Sequence, residues 1–113
     1  MKLVNTTSGA VLAETVELAN TFLTRAKGLL FRRGIARTHA LVLYQTYSIH
    51  MFMMAFTIDV IFLDKERRVT ALFPRRRPFS LPVGDWSSSF AVEVADGRIA
   101  ESGVQVGDAL SWD

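Results

Sequence analysis

The run Phe56-Thr57-Ile58-Asp59-Val60-Ile61-Phe62-Leu63 limits this chain more than any other segment. From Ile58 to Leu63 every residue but one is a β-branched, aromatic or aliphatic side chain. Asp64-Lys65-Glu66-Arg67 then reads as a hairpin turn, and Val69 to Phe73 as the returning strand. A strand that is apolar at consecutive positions is covered on both faces. Asp59 therefore stands where an unpartnered charge is very costly. Arginine is the natural partner, because its planar fork matches a carboxylate. A carboxylate accepting backbone N–H groups is the other structural solution, and a ligand-facing or catalytic carboxylate is the functional one.

The remaining chain supplies mostly short strands. Lys2 to Asn5 and Ala10 to Leu18 form a first hairpin around Thr6-Thr7-Ser8-Gly9. Asn20 or Thr21 reads as a helix N-cap, and Phe22, Leu23, Ala26, Leu29 and Leu30 follow at helical spacing. Gly28 either ends that helix or packs closely against a neighbour, and Arg32-Arg33-Gly34 is a stop signal. Strands are expected at Ala40–Tyr44, Phe90–Ala95 and Ala109–Trp112, a loop at Pro74–Pro78, and one helical turn at Arg98–Ser102 stopped by Gly103. The expected fold class is mainly β with one α-helix: an antiparallel, barrel-like or strongly curved sheet closed by the helix, with residues 1–113 as a single domain.

Half of the 113 residues are hydrophobic, enough for one core without staples. There is no cysteine, which excludes a disulfide framework and a thiolate nucleophile. His39 and His50 lack the spacing of a metal motif, and no phosphate loop is present, so neither metal nor cofactor is expected. The net charge of +2 is weak, although ten of the thirteen basic residues are arginine. Nine of the arginines lie at Arg25, at Arg32-Arg33 and Arg37, at Arg67-Arg68, and at Arg75-Arg76-Arg77 between two prolines. No aromatic residues interleave with them, which argues against a single-strand nucleic-acid surface. No apolar stretch is long enough for a membrane span. The N-terminus lacks a signal peptide, so the chain as written reads as cytoplasmic, and as periplasmic or secreted if a precursor segment has been removed.

Two further polar residues stand out. His50 borders the core at Met51-Phe52-Met53-Met54 and is either a hydrogen-bonded core histidine or a ligand-binding one. The methionines read as core filler: in an extended segment Met51 and Met53 would face away from Phe52 and Met54. Glu93 alternates with Phe90, Val92 and Val94 and shares its face with Ala91 and Ala95. Such small neighbours leave room for solvent, a partner side chain or a ligand.

Four segments carry a family resemblance. Arg25-Ala26-Lys27-Gly28-Leu29-Leu30-Phe31-Arg32 resembles the R-x-x-G-L-M-x-R segment of the bacterial and archaeal family catalogued as domain of unknown function 192. Ile49–Met54 followed by Ile58–Asp64 is similar to its central signature. Val92–Gly97 and Gly103–Asp108 resemble its C-terminal L-E-x-x-x-G and G-x-x-x-G-D patterns. Leu30 replaces the usual Met, and Ala55 stands where relatives often carry a basic residue. The resemblance implies a mainly β domain whose helix bears the Gly-Leu segment, and it implies no named reaction. The family's polar positions correspond to Arg25, Arg32, His50, Asp59 and Glu93, the candidate ligand-binding residues.

The leading functional expectation is a small non-enzymatic binding or accessory module for an anionic small molecule, a glycan or a protein segment. The first alternative is a small hydrolase-like enzyme using Asp59, Glu93 and His50, which requires these groups in one cleft. The second is nucleic-acid binding through the Arg-rich loops, with affinity that falls steeply with salt.

Overall fold

The computed structural model describes residues 1–29, 32–51 and 54–113, with residues 22 and 23 described by backbone only. The readings of Leu30 as a helix-face residue, of Met53 as core filler and of the face taken by Phe52 lie outside the described residues, as do those of the Phe22 and Leu23 side chains. The elements in chain order are β1 (Leu3–Asn5), β2 (Val11–Ala13), β3 (Thr15–Ala19), α1 (Phe22–Lys27), β4 (His39–Tyr44) and β5 (Ser48–Ile49). They continue with β6 (Ile58–Leu63), β7 (Val69–Arg76), β8 (Val83–Gly84), β9 (Phe90–Ala95), α2 (Arg98–Ser102) and β10 (Leu110–Ser111).

A five-stranded sheet in the order β3-β4-β9-β6-β7 forms the centre. Its strand β6 is buried at all six positions, because both faces of the sheet are covered. On the first face Val16, Ala40, Val42, Ile61, Leu63, Val92 and Val94 pack with the small sheet β10-β1-β2, with Ile99 of α2 and with Trp112. On the second face Leu41, Leu43, Ile58, Val60, Phe62 and Ala91 pack with Leu29, Met51, Met54 and the ribbon β5-β8.

The expectation of a mainly β chain holds, and that of a barrel does not: the sheets do not close on themselves. The antiparallel expectation also fails at one place, since β3 and β4 pair in parallel. Parallel neighbours need a crossover, and α1 is that crossover rather than a lid on a barrel. The residues expected to form one strand from Ala10 to Leu18 divide at Glu14. Ala13 pairs with β1, whereas the Glu14 and Thr15 amides both donate to Thr38 O, so the chain changes sheets there.

Asp59 fixes the far end of the central sheet. Its side chain is fully buried on the first face. Oδ1 accepts from Arg75 N at 2.9 Å and from Gly97 N at 3.3 Å, and Oδ2 accepts from Ile99 N at 2.7 Å. Its partners in these bonds are backbone amides and not a guanidinium. One of them heads α2, which has no side-chain cap of its own. Another belongs to a bulge in β7. Ile58 pairs with Arg76 and Val60 with Phe73, so Pro74 and Arg75 together oppose Asp59. Pro74 has no N–H to give the ladder, and β7 is an edge strand, where proline is tolerated. Arg75 adopts a φ of 55°, which turns its amide to the carboxylate. The segment expected to be a loop from Pro74 is thus strand as far as Arg76.

Met51 and Met54 are both buried in the second-face core, where Met54 N donates to Met51 O at 3.2 Å, whereas alternation along an extended segment would have put them on opposite faces.

Replacing Asp59 by Ala leaves these three amides without their acceptor, at about 1–3 kcal/mol for each buried unsatisfied group. Asp59→Ala is expected to lower unfolding free energy in urea by about 3 kcal/mol or more, and a loss below about 1 kcal/mol would contradict this role.

Candidate functional site: a cleft over a buried glutamate

The second face carries its own carboxylate. Across the sheet, Glu17 of β3 stands opposite Leu41 of β4, Leu41 opposite Glu93 of β9, and Glu93 opposite Val60 of β6. These four side chains form one row on one face. Glu17 lies at the sheet edge, where its carboxylate takes both Arg32 Nη1 and Nη2 and lies 3.2 Å from His39 Nε2. The Arg32 bonds hold Glu17 below the ordinary carboxylate range, and the Arg32 guanidinium is raised in turn. Glu93 lies two strands further in and is 4% exposed. Its Oε1 has no hydrogen-bond partner among the described residues. Burial pushes this carboxyl up to about 7, and the charge of Arg32 opposes the rise only in part.

Above Glu93 is a cleft of about 790 Å³. Its walls are the end of α1 from Arg25 to Leu29, the segment from Gln45 to His50, and the segment from Pro82 to Trp86. Thr21 caps the helix by accepting from Thr24 N, and the helix stops at Gly28 with φ 50° and ψ −126°. A Cβ at Gly28 would lie 3.4 Å from Glu93 Oε1. A side chain there would be strained by its backbone, while its Cβ would meet the carboxyl at ordinary contact distance. Of the two readings of Gly28 made from the sequence, the helix end is the one the backbone requires.

The opposite wall depends on a close backbone approach. Ser48 pairs with Gly84, and a Cβ at Gly84 would stand 2.7 Å from Tyr47 O. Beyond Gly84, Asp85 closes a tight turn. Its Oδ1 accepts from Ser87 N at 2.9 Å and Ser87 Oγ at 2.6 Å, which holds its carboxylate below the usual range. Asp85 N donates to Tyr47 O at 2.9 Å. This turn projects Trp86, 87% exposed, against the Tyr47 ring, with centroids 4.8 Å apart and planes 25° apart.

The structure brings Arg25, His50 and Glu93 to this cleft. Arg25 is steadied by Thr21 O, Tyr44 O and Gln45 Oε1, all uncharged acceptors. His50 is exposed at the cleft wall. Arg32 is close enough to act on Glu93 through its charge, but it bonds to Glu17. Asp59 is on the other face of the sheet, with α2, so Asp59, Glu93 and His50 do not form one cleft. The sequence reading did not single out Lys27, Tyr47, Asp85 or Trp86. The available signal was Gly84-Asp85-Trp86-Ser87, a large aromatic inside a turn-forming tetrad.

These features define a class: a mainly β protein with a central five-stranded sheet, one parallel crossover, and a cleft over a buried glutamate. The chain belongs to the DUF192 family, described as "Uncharacterized ACR", whose model matches residues 3–112. Among curated relatives, the UPF0127 protein of Thermococcus gammatolerans is 37% identical, over 98% of this chain and 74% of its own length. That of Thermococcus sibiricus is 34% identical with the same coverage of each. A crystal structure of a protein of unknown function from Novosphingobium aromaticivorans matches with a TM-score of 0.84 at 25% identity, over 98% of this chain and 82% of that one. A Sinorhizobium meliloti protein described as a "putative transcription regulator" shares the fold with a TM-score of 0.78 at 23% identity, over 97% of this chain and 89% of that one. Among the described residues no helix is long and apolar enough to cross a membrane.

Because the folded state holds the Glu93 proton to about pH 7 and the unfolded chain releases it near 4.5, folding binds a proton between these values. The stabilisation is complete below pH 4.5 and is lost as pH rises through 7. The wild type is expected to lose about 3 kcal/mol across this window relative to Glu93→Gln. Parallel pH profiles of the two proteins in urea would contradict this. Gly28→Ala is expected to cost about 1–3 kcal/mol from backbone strain, measured in the same way, and an unchanged midpoint would contradict the reading of that helix end.

Proposed function

We propose that this protein is a non-enzymatic binding module whose ligand occupies the cleft over Glu93. The single observation behind this reading is a buried carboxyl with an unpartnered oxygen, on a residue that lines a cleft large enough for a small molecule. Buried polar groups are normally satisfied, and an exception needs a physical reason. A ligand hydroxyl or amide reaching Glu93 supplies the missing partner. The cleft has the usual makeup of a ligand site, with mostly apolar walls and a few polar groups that converge.

Against a hydrolase, the second carboxylate proposed from the sequence, Asp59, is committed to three backbone amides on the opposite face. Against a nucleic-acid surface, several arginines are engaged within the chain. Arg32 bonds to Glu17, Arg37 pairs with Glu101, Arg67 lies over the Trp112 ring, and Arg76 bonds to Leu81 O.

The test is an NMR screen of amide shifts with a library of saccharides, amino acids and small carboxylates and phosphates. At least one compound is expected to shift amides in 25–29, 45–50 and 83–86, and Ser48→Phe, which narrows the cleft, should abolish the response. Shifts restricted to the Arg-rich loops, or none, would overturn the reading.

A further inference from the structure

We propose that the cleft is built for an acidic saccharide, a pyranose chain carrying carboxylate groups, with one sugar ring seated on the Tyr47–Trp86 stack. The inference rests on the binding reading above and names its ligand class.

Three independent features of the cleft converge on this chemistry. The first is the aromatic platform. Trp86 is the most exposed large apolar side chain described, at 87%, yet it is not loose: Tyr47 backs one face of the indole at 4.8 Å and the Asp85 turn fixes its base. A rigid, backed indole with an open face attracts the C–H side of a sugar ring, because an aromatic face carries negative potential. The second is unneutralised positive charge. Arg25 and Lys27 line the cleft, and neither has a carboxylate partner among the described residues. Arg25 is held by neutral oxygens, so its charge remains available to an anion. The third is the Glu93 carboxyl at the floor, whose unpartnered Oε1 matches a sugar hydroxyl in a site otherwise walled by Leu29, Ile49, Met54 and Val83.

A nucleotide would also stack on Trp86 and would meet Arg25 and Lys27, and the hexathymidylate arm of the experiment separates it from a saccharide. An uncharged sugar would use the platform and the floor but leave both cations unanswered. An acidic saccharide uses all three features, with its hydroxyls toward Glu93 and its carboxylate toward α1.

The experiment is a titration of the full chain with trigalacturonate, its fully methyl-esterified form and a hexathymidylate, read by tryptophan fluorescence and by NMR. Trp112 is buried on the other face, so a change in emission reports Trp86. Trigalacturonate is expected to bind at least tenfold tighter than the ester at low salt. The emission change should vanish in Trp86→Phe, whose fold is checked by its NMR spectrum. The double variant Arg25→Gln/Lys27→Gln should bind acid and ester alike, with the ester's affinity unchanged. Equal binding of acid and ester to the wild type overturns the acidic class and leaves a neutral-glycan site. Tighter binding of hexathymidylate overturns the saccharide. No response to any of the three, while a compound of another class from the library screen shifts the cleft amides, overturns this inference and leaves the binding reading intact. No response to these three or to the library removes both.

Discussion

Everything in this molecule depends on a central sheet buried on both faces that nevertheless carries a carboxylate on each. Burying an ionised group without compensation is prohibitive, so each face must answer its acid. The first face does so fully. Asp59 accepts from the β7 bulge, from Gly97 and from the start of α2. Its negative charge is spread over oriented amides, and it ties the edge strand, the end of β9 and a helix into one corner. The second face answers Glu93 only in part. Arg32 stands near it but is committed to Glu17, and Oε1 has no partner among the described residues.

That asymmetry separates scaffold from site. On the first face the central polar side chains bond to one another. Asn5 bonds to Asp108, whose carboxylate also accepts from Gln105 N, and Trp112 Nε1 donates to the Tyr44 hydroxyl beneath Arg67. On the second face the walls of the cleft are set by two glycines, Gly28, whose positive φ a side chain would strain, and Gly84, where a Cβ would collide with Tyr47 O. Space is kept open there by the backbone itself. Leaving a buried acid unsatisfied costs stability, and such costs are concentrated at functional sites.

Much of this was legible in the sequence, and the exceptions have physical causes. The apolar run of β6, the turn after it and the alternation in β9 identified the central strands, because periodicity reports burial directly. The placement of Glu93 beside Ala91 and Ala95 pointed to open space on its face. Parallel pairing of β3 with β4 was hidden, since alternation is the same in either direction and the switch between sheets at Glu14 leaves no compositional mark. The separation of Asp59 from Glu93 was also hidden. Each was assigned within its own strand, and only the register between β6 and β9 shows that they point to opposite faces. Trp86 was passed over because a lone aromatic in a polar turn gives no periodic signal.

The most direct measurement of the central claim is the pH titration of the Glu93 side-chain carboxyl carbon by NMR in the unliganded protein. A midpoint near 7, moving when a ligand fills the cleft, is the result this account predicts. A midpoint in the ordinary glutamate range, unmoved by any ligand, would mean that the carboxyl is already solvated or paired, and the cleft would lose its reason to be a site.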